Sequence, residues 1–242
     1  MAALKLQVNN RETRLSVVGG ALDHIGEWIT DAEPPSVVLL CTDDRVADLY
    51  ADRAMAAIRT TGIPCALHIF PAGDASKCLA ELARIHDALA DLRAARDALL
   101  VALGGGVASD LTGFAAATWM RGVPYATCPT TLESAVDACV GGKTGINHSA
   151  GKNLIGAFHH PRWVAIDPDC LKTVPPRDLA AGLAESIKHA LIMDDDLLTW
   201  HEEQRAAIQA VEPDVMWQLI ERNLRIKIGV VESEEREQGR RA

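Results

Sequence analysis

Short, nearly all-apolar runs recur along the chain: SVVLLCTD at 36–43, CALHIF at 65–70, ALLVALGGG at 98–106, YATCPTT at 125–131 and WVAID at 163–167. Most are separated by segments with helical spacing of apolar residues, such as 46–61 and 77–95. Continuous apolar runs are the signature of strands covered on both faces, so their alternation with amphipathic helices predicts a parallel α/β sheet. After Pro175 and Pro176 the pattern changes, and 177–242 carries helical spacing without a convincing strand. We therefore expect an α/β nucleotide-type part over 1–174 and an α-helical part over 175–242.

Composition narrows the classes of partner. With 48% hydrophobic residues in 242, the chain can bury a sizeable core, and its net charge of −9 argues against a surface built for nucleic acid or anionic membrane. An anionic ligand must be met by a local basic pocket. The six cysteines are scattered singly, without a CxxC pair, which fits a reducing cytoplasm. No leader-like start and no run approaching a membrane span is evident, so a soluble, cytoplasmic protein is expected.

Three segments could carry chemistry. LVALGGGVASDLTGFAAA reads as a strand, three glycines and a helix with Asp110 in an early turn. Such a junction brings helix N-terminal amides close to a phosphate. Its spacing is not GxGxxG, so a tight turn without ligand competes with a pyrophosphate site. CPTTLESAVDACVGGKTGINHSAGKN gathers Thr130, Thr131, Asp137, Lys143, Thr144, Asn147, His148, Lys152 and Asn153 among glycines. It reads as a long functional loop suited to phosphate or carboxylate, with a plain solvated loop as the alternative. In AGLAESIKHALIM, helical spacing puts Glu185, Lys188 and His189 on one face. A surface ion pair, a Glu/His metal half-site, and separate roles in one pocket all fit that spacing.

Four ordered stretches, GGGVASDLTGFAAATWMRGV, PTTLESAVDACVGGKTGINHSAGKNLIGAFHHP, LKTVPPRDLAAGLAESIKHALI and KIGVVESEEREQGRR, resemble the 3-dehydroquinate synthase family. The resemblance implies a Rossmann-like NAD domain followed by a helical domain, with the site in the cleft. It also implies an NAD- and metal-dependent carbon-oxygen lyase, using zinc or cobalt, of the shikimate route to chorismate and the aromatic amino acids. That enzyme converts 3-deoxy-D-arabino-heptulosonate 7-phosphate to 3-dehydroquinate and phosphate by oxidation, elimination, reduction and intramolecular aldol closure. A homodimer is implied as well.

Carried onto this chain, the resemblance gives Asp43, Asp74, Lys77, Gly105, Gly106, Val107, Asp110, Thr130, Thr131, Lys172 and Thr173 to the cofactor. Asp137 and Lys143 would sit near the nicotinamide and reacting sugar. Arg121, Lys152, Asn153, Lys188, Lys227 and Arg241 would bind substrate, and Glu185 would bind metal. His189 receives no role, which leaves it a packing or supporting residue.

Asp74 stands where the family usually has Glu, and Glu133 and Ser134 are also departures. The family's pattern continues past the arginine matched by Arg241 into a segment with two further histidine ligands, so the sequence reads as a truncated member, inactive alone. Another sugar phosphate cyclase, a related polyol dehydrogenase and a non-catalytic NAD-binding module are the competing readings.

Overall fold

The computed structural model describes residues 2–8, 11–31 and 33–234. Its strands are β1 (Ala2–Val8), β2 (Arg11–Val17), β3 (Val38–Asp43), β4 (Cys65–Phe70), β5 (Leu99–Gly104), β6 (Tyr125–Pro129), β7 (Lys143–His148), β8 (Gly151–Phe158) and β9 (Trp163–Ile166). Its α-helices are α1 (Ile25–Thr30), α2 (Asp44–Val46), α3 (Asp52–Arg59), α4 (Leu79–Asp91), α5 (Gly106–Thr118), α6 (Pro176–Met193), α7 (Asp195–Glu203), α8 (Arg205–Gln209) and α9 (Pro213–Ser233). Seven strands form one sheet in the order β1-β2-β9-β6-β5-β3-β4, parallel except for the β1-β2 pair.

The five apolar runs form β3, β4, β5, β6 and β9, and the pleat explains why they are so nearly apolar. On β3, Val38 and Leu40 point into one cluster with Ile25, Ala54 and Ile58 of α1 and α3. Leu39 and Cys41 point to the opposite face, among Ile85, Leu89, Leu111 and Phe114 of α4 and α5. Helices on both sides favour apolar side chains at successive positions. The α/β class expected from the run pattern is the one observed.

One expectation is corrected and one element is new. The glycine-rich stretch is not a long loop: after a turn at Ser134–Ala138 it forms the antiparallel hairpin β7-β8. Gly145 and Gly156 face each other across it, and a Cβ on Gly156 would lie 2.2 Å from the Thr144 carbonyl oxygen. The glycines permit close strand approach rather than disorder. The N-terminal hairpin β1-β2 was not anticipated at all, although its second strand alternates buried and exposed positions.

A third cluster joins this hairpin to the helices. Leu6, Leu15, Val17 and Ile166 pack with Leu132, Val136, Leu197, Met216, Leu219, Leu224 and Val231. The Trp217 indole N–H also donates to the Val17 carbonyl at 2.9 Å. The expected boundary at Val174 lies between a 3-10 turn, Pro168–Thr173, and α6, and this cluster crosses it. Among the described residues, no helix is long and apolar enough to cross a membrane.

Candidate active site

β5 ends at Gly104, whose φ of 150° and tight surroundings exclude side chains: a Cβ there would lie 2.8 Å from the Ala108 Cβ. At Gly105 a Cβ would lie 3.1 Å from Thr131 Cγ2. α5 begins directly afterwards, so the amides of its first turn have no carbonyl ahead of them and lie at the C-terminal edge of the sheet. The helix dipole favours an anion at this place. Gly105, Gly106 and Val107 supply the turn. Thr130 donates its amide to the Gly104 carbonyl at 2.9 Å. Asp43, ending β3, caps α2 by accepting from the Arg45 and Val46 amides at 3.0 Å each.

Beside this turn, Lys77 leaves the short helix Asp74–Ser76 and is buried, with its Nζ bonded to Asp110 Oδ2 and Asn153 Oδ1. Burial pushes the Asp110 carboxyl up, while the Lys77 ammonium pulls it down. The Asp74 carboxyl is held below its usual range, chiefly by Lys152, whose Nζ lies 2.9 Å away. Asp74 also accepts from Asn147 Nδ2 at 3.1 Å, and Asn147 Oδ1 accepts from the Asn153 amide at 3.0 Å. One hairpin thus ties together Asp74, Lys77, Asp110, Lys152 and Asn153.

The second half of the site comes from the turn Ser134–Ala138, α6 and α9. A Cβ on Gly106 would lie 3.7 Å from Ala138 Cβ, so this turn abuts the start of α5. Its Asp137 accepts from Lys227 of α9. On α6, Glu185 accepts from Lys188, and its Oε1 lies 3.5 Å from His189 Nε2. Asp137 Oδ1 lies 3.9 Å from the same nitrogen. The donor atoms of Asp137, Glu185 and His189 all fall within 4.8 Å of one another. Two carboxylates and an imidazole are a donor set that zinc or cobalt accepts, so these residues fit a divalent metal. Burial holds the His189 pKa below its ordinary 6.5, keeping the ring neutral as a ligand must be.

Other expected residues are more dispersed. Lys172 pairs with Asp169 at 2.6 Å, and the Thr173 hydroxyl meets Tyr50 OH at 2.7 Å, both just beyond the end of β9. Lys143 starts β7 and is exposed. Arg121 follows the far end of α5, about 20 Å from its start at 1.5 Å per residue, and within one chain it does not join the others. Arg241 lies outside the described residues. Sequence reasoning singled out the three glycines and Asn147 within their motifs but gave Gly104 and Asn147 no role of their own, and it left His189 without a role although its i+4 spacing to Glu185 was the available signal.

Two family descriptions cover most of the chain: 3-dehydroquinate synthase N-terminal over residues 67–181 and 3-dehydroquinate synthase C-terminal over residues 182–242. The chain belongs to the 3-dehydroquinate synthase family. The 3-dehydroquinate synthases of Desulforamulus reducens and Laribacter hongkongensis are each 43% identical to it over 242 residues, covering 100% of this chain and 67% of theirs. The chain thus spans about two thirds of the length of these curated relatives. Among solved structures, a 2-epi-5-epi-valiolone synthase from Streptomyces hygroscopicus subsp. jinggangensis, with NAD+ and Zn2+ bound, matches with a TM-score of 0.85 and 29% identity. That match covers 98% of this chain and 65% of the synthase. A 2-deoxy-scyllo-inosose synthase matches at TM-score 0.91 and 24% identity over 99% of this chain and 65% of its own, which speaks for the fold alone.

Proposed function

We propose that the edge of the sheet between the α5 turn and the Asp137-Glu185-His189 group is the cleft of a 3-dehydroquinate synthase. It would bind NAD, a divalent metal and 3-deoxy-D-arabino-heptulosonate 7-phosphate, with 3-dehydroquinate and phosphate as products. The observation that carries this is the abutment of the Ser134–Ala138 turn on Gly106. It places an anion-binding helix start and a metal-fitting donor set on two sides of one turn. Bound NAD would accept and return a hydride, and the metal would polarise the hydroxyl being oxidised.

The chain's own residues have separable tasks. Gly105, Gly106 and Val107 offer backbone amides to the pyrophosphate, and buried Lys77, bonded to Asp110 of α5 and Asn153 of β8, holds the β7-β8 hairpin against that turn. Lys152, Lys188 and Lys227, with Lys143, Asn153, Arg121 and Arg241, supply charge and hydrogen bonds for phosphate, carboxylate and hydroxyls. Asp43, Thr130, Thr131, Lys172 and Thr173 complete the cofactor side. With cations gathered round it, the substrate's own phosphate can take the proton in the elimination, so no free histidine base is required. Residues 1–174 form the NAD part and 175–242 the start of the metal and substrate part.

We infer further that the protein works as a homodimer in the cytoplasm, in keeping with its six unpaired cysteines. Phosphate release from the heptulosonate phosphate, with NAD and Co2+ or Zn2+ present, tests the reaction. Where turnover occurs, phosphate and dehydroquinate are expected in equal amounts without net NADH. Steady NADH accumulation would instead indicate a polyol dehydrogenase.

A further inference from the structure

Asn147 sits where the β7-β8 ladder breaks. Ile146 pairs with Ile155 and His148 with Gly151, so Asn147 on one strand stands opposite three residues, 152–154, on the other. A bulge of this kind re-aims side chains and is favoured beside active sites. It also releases the Asn147 backbone amide from the hairpin, and that amide donates instead to the Lys77 carbonyl at 2.8 Å.

The half-buried side chain of Asn147 bridges two segments. Its Nδ2 lies 3.2 Å from the Asp74 carbonyl oxygen and 3.1 Å from Asp74 Oδ2, while its Oδ1 accepts from the Asn153 backbone amide at 3.0 Å. The orientation is determined twice over, since a carbonyl oxygen can only accept and a backbone N–H can only donate. Lys152 Nζ meets the same Asp74 oxygen at 2.9 Å.

Asn153 has a φ of 56°, a left-handed conformation that glycine would take without cost. What asparagine adds at this position is its side chain, whose Oδ1 accepts from the Lys77 ammonium. Lysine offers donors only, so Asn153 Nδ2 is turned away from it, on an exposed residue. A single side-chain amide, that of Asn147, therefore fixes both the backbone of Asn153 and the carboxylate of Asp74.

We propose that Asn147 is a positioning residue with two separable tasks: its Oδ1 holds Asn153 so that Asn153 Nδ2 donates to a substrate oxygen, and its Nδ2 holds the Asp74 carboxylate for the cofactor. It rests on the dehydroquinate synthase reading of the cleft, in which Asp74 faces NAD and Asn153 faces the sugar phosphate. Asn147→Asp divides the two tasks, because it keeps the acceptor for the Asn153 amide and sets a second carboxylate against the oxygens of Asp74.

Calorimetry on the whole chain reads each task by itself. NAD is one titrant, and the heptulosonate phosphate, added to NAD-saturated protein kept metal-free with a chelator, is the other. Asn147→Ala should weaken both ligands about tenfold. Asn147→Asp should weaken NAD at least as much and leave sugar phosphate affinity within about threefold of the parent, a split that a loss of packing alone would not give. In an Asn153→Gly background, which keeps the left-handed turn and lacks the side chain, Asn147→Ala should cost no further sugar phosphate affinity.

Asn147→Ala binding both ligands as the parent does, equal losses of the two in Asn147→Asp, or a fully additive loss in the double variant would overturn the proposal. If circular dichroism shows that Asn147→Ala does not fold, the split in Asn147→Asp decides. A parent chain to which one or both ligands fail to bind overturns the cleft reading and the proposal with it, whereas the other adverse outcomes, seen on a parent that binds both, overturn the role of Asn147 alone.

Discussion

Lys77 and Asp110 form a buried ion pair between segments 33 positions apart, with the lysine Nζ 2.5 Å from the aspartate Oδ2 and side-chain exposures of 6% and 21%. Replacing one member leaves the other as an uncompensated buried charge. Lys77→Met should therefore cost about 3 kcal/mol of stability at pH 7 in urea denaturation. Asp110 already has a raised pKa, and without the lysine it rises further. Its destabilising ionised form disappears as pH falls through that raised value, so the penalty should shrink near pH 4.

Gly104→Ala tests the turn that starts α5. The new Cβ would sit 2.8 Å from Ala108 Cβ on a backbone with φ of 150°. Relieving that contact must shift the first-turn amides. NAD affinity measured by calorimetry should fall at least about tenfold, equivalent to about 1.4 kcal/mol, while secondary structure by circular dichroism stays unchanged.

Gly182→Ala separates packing from ligand chemistry. A Cβ at this position would lie 2.6 Å from the Glu133 amide nitrogen and 2.6 Å from Leu132 Cβ, so α6 would have to move outward. Glu185, one turn further along α6, would move away from Asp137. Stability should fall by about 1–3 kcal/mol, and Co2+ affinity should drop although no ligand atom is removed.

Two histidines, His201 buried and His159 half-buried, predict an acid-side loss of stability. Burial lowers the pKa of both His159 and His201 from 6.5. Between the folded and unfolded values the unfolded chain binds more protons, so stability is complete above pH 6.5 and declines as pH drops below it. Melting temperature measured from pH 7.5 to 5.0 should fall through this window. A flat profile would contradict the burial of neutral rings.

The sheet was legible because its central strands are covered on both faces, leaving runs such as LLVALG of β5, buried at every position. The β7-β8 hairpin was not, because Gly145 and Gly156 are required by backbone approach and resemble loop residues in one dimension. β1-β2 carries only a one-faced alternation, a weaker signal than a continuous run. In the site, the glycine turn and Glu185 stood out by composition and spacing. The meeting of His189 with Asp137, 52 positions away, depends on α6 packing against the Ser134–Ala138 turn, which spacing cannot express.

The cluster shared by β1, β2 and α9 sets how the molecule comes apart. With Leu6, Leu15 and Val17 buried against Leu219, Leu224 and Val231, a chain severed near Val174 would give two pieces, each exposing an apolar face that the other should cover. Heat should therefore melt sheet edge and helices together, in one calorimetric transition whose enthalpy belongs to the whole chain.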